Sequence, residues 1–503
     1  MRKGTFAFVI ISLVGSLLFH SCTAPDTETL ATDSLSIGLG KTAFSKNCSS
    51  CHNFKQDGIG PNLNGITRDT SVAWLKRFIK DPASDIGSGD MRAKKLYEQF
   101  HTMMPSFRAI GDTDLNRILA YLNTQKGPRS HEKYDSTVIR NPYPQPIPLS
   151  GLVLGLEEIA EIPHSAAQPP LTRINKMDYQ PGKKDLFIMD LRGKLYSLAG
   201  KQPVVYLDLA ALTPHFISEP GLGTGFGSFA FHPDFAHNGL LYTTHTEPAH
   251  IKKADFHYAD SMKVTLQWVL TEWKTAHPEA TPFSGTSREL FRVDMVSGIH
   301  GVQDISFNPL AKPGGEDYGQ LYIGVGDGGS VENGYPFLPH RLDGVWGTVL
   351  RIDPRGRNSS NRQYGISSHN PFSRTGDPKT CREIYAYGFR NPHRITWSRT
   401  GQLLVTNIGQ ANIESLNLVL PGHDYGWPIR EGAFLINPLG DINKVHALAA
   451  NDSIAHITYP VAAFDHDEGN AISGGYEYTG TATPSLKGKY LFGDIPNGRL
   501  FYV

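Results

Sequence analysis

Four short stretches, GKLYSL (193–198), GQLYIG (319–324), GQLLVT (401–406) and GRLFYV (498–503), share one pattern: a glycine turn feeding a run of apolar residues. DLFIMDL, LLYTTHT, GTVLRIDP and GKYLFGD repeat it in looser form. From about residue 151 to the end such runs alternate with Gly, Pro, Asn and Asp, and helical stretches are few. Short strands recurring with turn signals point to an all-β repeat architecture. The spacing is irregular, so insertions are expected in the loops, the longest at about 249–287. A β-propeller uses roughly 350 residues naturally, whereas one sandwich does not.

The chain has 503 residues, which implies two to four folded units. Lysine plus arginine equals aspartate plus glutamate, 48 each, so no basic surface argues for a nucleic-acid partner. The 51 glycines and 34 prolines follow no period, which fits turns rather than a collagen-like or disordered chain.

The N-terminus reads MRK, then an apolar run from Phe6 to Phe19, then HSC at 20–22 and a polar stretch. This resembles a bacterial lipoprotein signal (1–21), with Cys22 the acylated residue and 22–35 a tether. An ordinary signal peptide or an uncleaved anchor is the competing reading. In each case the protein is expected to be exported. Lipid on Cys22 would hold it to a membrane, and Thr23 after the cysteine favours the outer membrane by analogy.

Residues 36–128 form a different block. GKTAFSKNC, SVAWLKRFIKD and DTDLNRILAYLNTQK carry apolar residues at helical spacing, among them Val72, Leu75, Phe78 and Ile79, then Leu115, Ile118, Leu119 and Leu122. Asp112 or Thr113 is expected to cap the last helix. Between the first two lies CSSCH. Two thiols on one turn can add to the two vinyl groups of a haem, and the adjacent imidazole reaches the iron from the same side. Cys48 and Cys51 are therefore read as covalent haem attachments and His52 as an iron ligand, with a Cys48–Cys51 disulfide as the competing use. The sixth ligand is sought in HTMMPSF (101–107), where Met104 is preferred to Met103. Cys381 then has no partner, so no disulfide framework is expected. Residues 129–150, rich in Pro and polar side chains, read as a linker or crossing segment.

CSSCH, the GIGPNLNGI loop (58–66), the MPSF loop and the closing helix together resemble a class I cytochrome c. The resemblance implies one covalent haem with an exposed edge for electron exchange, and places Pro61 in support of His52. From about residue 165 onward, GFGSFAFHPDF, HGVQD, GDGGS, RIDP, YGFRNPHR, GQANIES, YGWP and GRLF resemble the glucose/sorbosone dehydrogenase family, including its hedgehog-interacting-protein-like branch. That resemblance implies a multidomain chain: a small all-α cytochrome c domain, then an all-β six-bladed propeller at 151–503 whose last blade is incomplete.

It also implies chemistry. The family's catalytic members hold pyrroloquinoline quinone (PQQ) and calcium at the channel mouth. By position, His300 corresponds to the general base; Arg390 and Asn391 to cofactor contacts; Gly409 and Gln410 to carbonyl donors for calcium. Asp327 is expected to shape the site. Gly223 stands where the soluble glucose enzymes have glutamine and Pro496 where a lysine is usual, with Arg499 as a substitute cofactor contact. The expected activity is oxidation of a sugar or polyol, with electrons passing to the attached haem and on to a downstream acceptor protein. The alternative is a non-catalytic carbohydrate- or protein-binding propeller whose cytochrome serves another redox partner.

Overall fold

The computed structural model describes residues 29–49, 51–54, 57, 59–100, 102–126, 136–199, 202–220 and 223–503. The signal-like segment and Cys22 lie outside the described residues, and among the described residues no helix is long and apolar enough to cross a membrane.

The first unit is helical. Helix Ser34–Asn47 starts at Asp33, whose carboxylate accepts the Ser36 N–H at 2.8 Å, and it packs across helix Asp112–Thr124. At the crossing stands Gly40. A Cβ there would lie 1.9 Å from the Arg117 carbonyl oxygen, so only glycine allows the two backbones this approach. Phe44, Leu75, Leu115, Ile118, Leu119 and Leu122 fill the space between the helices. The closing helix begins at Asp112, but its N-cap is Gly111 and no side chain caps it; the Asp112 carboxylate is drawn instead to Lys80. Four further helices, Ile66–Asp69, Val72–Lys80, Pro82–Ser88 and Met91–Phe100, complete the unit among the described residues.

The second unit is a succession of antiparallel meanders. The first blade is Ile174–Tyr179, Leu186–Asp190, Lys194–Leu198 and Val204–Asp208; the second is Phe226–Phe231, Leu240–Pro248, Leu266–Lys274 and Thr286–Met295. The third joins Asp304–Phe307, Leu321–Val325, Thr348–Asp353 and Ile384–Tyr387, and the fourth Pro392–Trp397, Leu403–Asn407, Ile413–Leu418 and Ala462–Asp465. The fifth has three strands, Ile472–Glu477, Tyr490–Asp494 and Leu500–Tyr502. The first strands of successive blades pack beside one another, and the apolar clusters lie between blades, as where Leu416 and Phe464 of the fourth meet Ile472 and Phe492 of the fifth. Six blades are implied by the resemblance; the described residues build these five, and no strand pairing joins the fifth to the first.

The segment 249–287 is not the loop insertion expected. It contains Leu266–Lys274, the nine-residue third strand of the second blade, buried along its length except at Lys274. Its polar residues hid it: Gln267 bonds Asp294 and Arg292, and Glu272 pairs with Arg288 and Tyr242. Of the segment 129–150, Val138–Ile139 pairs with Val445–His446 in a small outer sheet with Phe434–Ile436 and Arg430–Glu431, so it crosses the propeller rather than hanging free.

Where the inner strands converge, Lys176 of the first blade reaches Asp304 of the third at 2.8 Å, with further bonds to the Ile305 carbonyl (2.8 Å) and Ser228 (3.2 Å). Asp304 also accepts the Ser228 hydroxyl at 3.0 Å and the Ile395 N–H at 2.8 Å, so one carboxylate ties four blades. Both charged groups are buried. Removing one partner of such a pair leaves an uncompensated charge and costs about 3–5 kcal/mol. Asp304→Ala should therefore lower the urea midpoint by a corresponding amount, and the double change Lys176→Met/Asp304→Leu should recover much of it.

Candidate functional site

In a meander the start of one strand and the end of the next lie at the same edge. In the third blade Asp304 is registered with Gly324, which brings His300 and Asp327 to one end; in the fourth, Pro392 is registered with Asn407, which brings Arg390, Asn391, Gly409 and Gln410 to one end. The sequence-expected residues of these two blades thus converge because of strand register.

His300 has φ +50°, a left-handed conformation that costs a non-glycine residue roughly 1–3 kcal/mol unless its surroundings enforce it. They do: its carbonyl accepts the Gly328 N–H, and a Cβ on Gly326 would lie 2.3 Å from the same oxygen. The imidazole Nδ1 is 2.7 Å from Asp327 Oδ1. A buried carboxylate accepts, so Nδ1 carries the proton and Nε2 is left as the acceptor. Asp327 is saturated: Oδ1 also accepts the Gly329 N–H at 2.8 Å, Oδ2 accepts the Trp427 indole N–H at 2.9 Å, and its own N–H donates to the Arg390 carbonyl. Burial alone would push the Asp327 carboxyl up, but the adjoining His300 and Arg390 together with these hydrogen bonds hold it below its ordinary value.

Arg390 is buried beside the same tryptophan, its guanidinium 5.7 Å from the Trp427 ring centre. It donates to Gln410 Oε1 at 2.9 Å and to Glu332 at 2.6 Å. Gln410 and its three successors direct their N–H groups at one oxygen of Glu431, at 2.7–3.0 Å, which fixes the loop. Among the described residues no hydrogen bond is made to the carbonyl oxygens of Gly409 or Gln410. Among the described residues no cluster of three or more His, Cys, Asp or Glu side chains could hold a metal ion, so a cation at this edge would depend on such carbonyls. Among the buried polar atoms without protein partners are Asn391 Oδ1 and His393 Nδ1, the latter at a bulge in the inner strand. Burial chiefly, then the neighbouring Arg394 and His300, hold His393 well below the usual imidazole range. A guanidinium, an unpartnered amide oxygen, imidazoles and free carbonyls suit a polar, carboxylated group with an accompanying cation. Arg499 is not part of this gathering; its guanidinium is held by Glu468 at 2.6 Å.

In the helical unit Cys48, Cys51 and His52 lie on one turn, the Cys51 and His52 N–H groups both donating to the Cys48 carbonyl. The pair is not joined in a disulfide, and burial with the neighbouring Cys51 pushes the Cys48 thiol up to about 12. His52 Nδ1 lies 2.9 Å from the Pro61 carbonyl, which leaves Nε2 unprotonated. A Cβ on Gly60 would stand 2.4 Å from the ring, so glycine lets the loop press on the imidazole. These groups line an apolar cavity with Phe78, Leu96, Phe107 and Met104. Met103 is exposed and does not reach it. Two thiols, an imidazole nitrogen and a thioether around an apolar slot fit a haem.

Trp427, Glu332 and His393 carry no role in the sequence reading. YGWP, GDGGS and YGFRNPHR marked their neighbourhoods, but the Asp327–Trp427 bond spans 100 positions and no local pattern announces it.

A family model described as Glucose / Sorbosone dehydrogenase matches residues 176–503, and a Cytochrome c model matches residues 37–126. The HIPL2 protein of Arabidopsis thaliana is 25% identical over 372 residues, covering 64% of this chain and 50% of that one. Quinoprotein glucose dehydrogenase B of Acinetobacter calcoaceticus is 26% identical over 307 residues, 56% of each chain. The PQQ-bound aldose sugar dehydrogenase structure from Streptomyces coelicolor is 20% identical, covers 66% of this chain and 77% of that one, and has a TM-score of 0.44. The chain spans about half the length of the curated relatives it matches. With its family model spanning well over half of its residues, the chain belongs to the glucose/sorbosone dehydrogenase family and carries a cytochrome c domain ahead of the family's propeller.

Proposed function

We propose that this chain is a quinoprotein dehydrogenase that oxidises a CH–OH group of a sugar or polyol and passes the electrons to its own c-type haem, then to a downstream acceptor protein. The observation that carries the reading is the His300–Asp327–Trp427 arrangement beside Arg390, at the edge of the propeller that faces the helical domain. PQQ, when bound, supplies the acceptor for the hydride leaving the carbinol carbon. His300 Nε2 takes the hydroxyl proton, and Asp327 keeps the tautomer and stabilises the imidazolium that forms. Arg390 and Asn391 hold the cofactor's carboxylates, and the Gly409 and Gln410 carbonyls hold calcium. Arg499 serves only if its pairing with Glu468 is exchanged. Cys48 and Cys51 hold the haem covalently, with His52 and Met104 on the iron. The N-terminal signal with Cys22 makes the chain an exported lipoprotein anchored at a membrane, the outer membrane by preference.

Purified protein given PQQ, calcium and a panel of aldoses and polyols should reduce its haem, read as a sharpened visible absorption band; no reduction with any of them, together with no PQQ binding, defeats the reading. His300→Ala should bind PQQ normally while turnover falls by about 10²–10⁴-fold. Met104→Ala should lower the haem potential, whereas Met103→Ala should leave it in place; the opposite result would exchange their roles.

Asp327 gives a pH test. Its carboxyl is held below the ordinary value, so its pairing stabilises the fold above that value and the contribution is lost as pH falls through the lowered one. The stability deficit of Asp327→Asn against the parent, measured by urea unfolding, should be largest near about pH 7 and shrink towards about pH 3.

A further inference from the structure

The helical domain and the propeller edge face each other across a cleft of about 910 Å³. Ile59, Pro61, Leu96 and Phe100 line the cavity shared by Cys48, His52 and Met104, and the same four residues form one wall of the cleft. Glu332, the partner of Arg390, and Asn412, next to the Gln410 loop, belong to the opposite wall.

One line of hydrogen bonds crosses between the walls. Arg390 Nε donates to Gln410 Oε1 at 2.9 Å, Gln410 Nε2 donates to Asn443 Oδ1 at 3.0 Å, and Asn443 Nδ2 donates to the Asp57 carbonyl of the loop between CSSCH and Pro61. A primary amide is suited to the middle of such a line because it accepts with one atom and donates with another. Asn443 is also fixed before the helical domain arrives: its N–H donates to Asp441 at 3.0 Å, its carbonyl accepts from Asn412 at 3.1 Å, and Asn412 is in turn held by Glu431 at 2.9 Å. Two contacts outside this line hold the same orientation, Thr102 to Asn470 at 2.5 Å and Lys46 to Glu219 at 3.2 Å.

We propose that this line is the docking and electron-coupling contact between the two domains, with Asn443 as its central positioning residue. The coupling half rests on the dehydrogenase reading; the docking half does not. Oxidation of one CH–OH to C=O releases two electrons and two protons. The haem iron carries one electron at a time, Fe(III) to Fe(II), so each turnover needs two crossings, with a one-electron acceptor protein reoxidising the iron after each. A domain that must receive twice per cycle gains from a fixed, hydrogen-bonded approach over a diffusive one.

The test uses the haem-loaded full chain with Cys381→Ser and a fluorophore on Leu439→Cys, an exposed position on the rim of the cleft. The haem should quench this probe strongly. Asn443→Asp retains the acceptor for Gln410 but turns a carboxylate towards the Asp57 carbonyl, and it should raise emission several-fold. In the same chain with PQQ and calcium, stopped-flow haem reduction on adding substrate should slow at least tenfold relative to turnover with a soluble dye acceptor. Quenching unchanged in Asn443→Asp, or haem reduction keeping its ratio to dye turnover, overturns the proposal. If the parent reduces neither haem nor dye with any substrate, the dehydrogenase reading fails instead, and the emission still decides the docking contact.

Discussion

The buried Lys176–Asp304 pair is the point to which the propeller's geometry refers. An ion pair out of water is weak as a source of net stability, because desolvation cancels much of the attraction. Its value here is positional. Asp304 accepts from Lys176 and Ser228 with one oxygen and from the Ile395 backbone with the other, so the inner strands of four blades share a register. Arg394 adds a second layer, bonding the Gln303 carbonyl and the side chain of Asn175.

That register sets the site. His300 lies four residues before Asp304, and Arg390 and Asn391 lie just before the strand that holds Arg394 and Ile395. Anchoring the strands at the axis therefore fixes the loops that precede them at the edge. Asp327 joins the two blades: its side chain binds the imidazole of one, and its backbone N–H binds the Arg390 carbonyl at the threshold of the next. The strained backbone at His300 is tolerated because this lattice leaves it no alternative.

How much of this was legible in the sequence depends on the distance over which each signal acts. CSSCH is local chemistry, and the turn carrying it needed no tertiary information. The recurring glycine-turn strands were equally plain, since each combines a turn residue with an apolar run. Leu266–Lys274 was not, because Gln267 and Glu272 look like solvent-facing residues until Arg292 donates to the one and Arg288 pairs with the other across the sheet. Met104 is preferred to Met103 on the sequence, and in the structure Met104 lines the apolar cavity while Met103 is exposed. His300, Arg390 and Gln410 came from motif resemblance, while Trp427, Glu332 and Asn443 depend on contacts made over 30 to 100 positions and have no sequence signature.

The charge balance at the edge follows from the same contacts. Arg390 is the cation placed beside His300, and it is already engaged by Glu332, while Arg499 is engaged by Glu468. A carboxylated ligand at this edge would share the Arg390 fork with a protein carboxylate. The guanidinium can do so, since five N–H donors are available and Gln410 and Glu332 account for two short bonds. Glu332 lies on the wall of the cleft, so its charge can be taken up by water when a ligand displaces it, whereas Asp327 is sealed from solvent and cannot be displaced. The two acids near Arg390 thus differ by burial: Asp327 is sealed in and holds the His300 imidazole, and Glu332, on the cleft wall, pairs with the guanidinium where water can reach it.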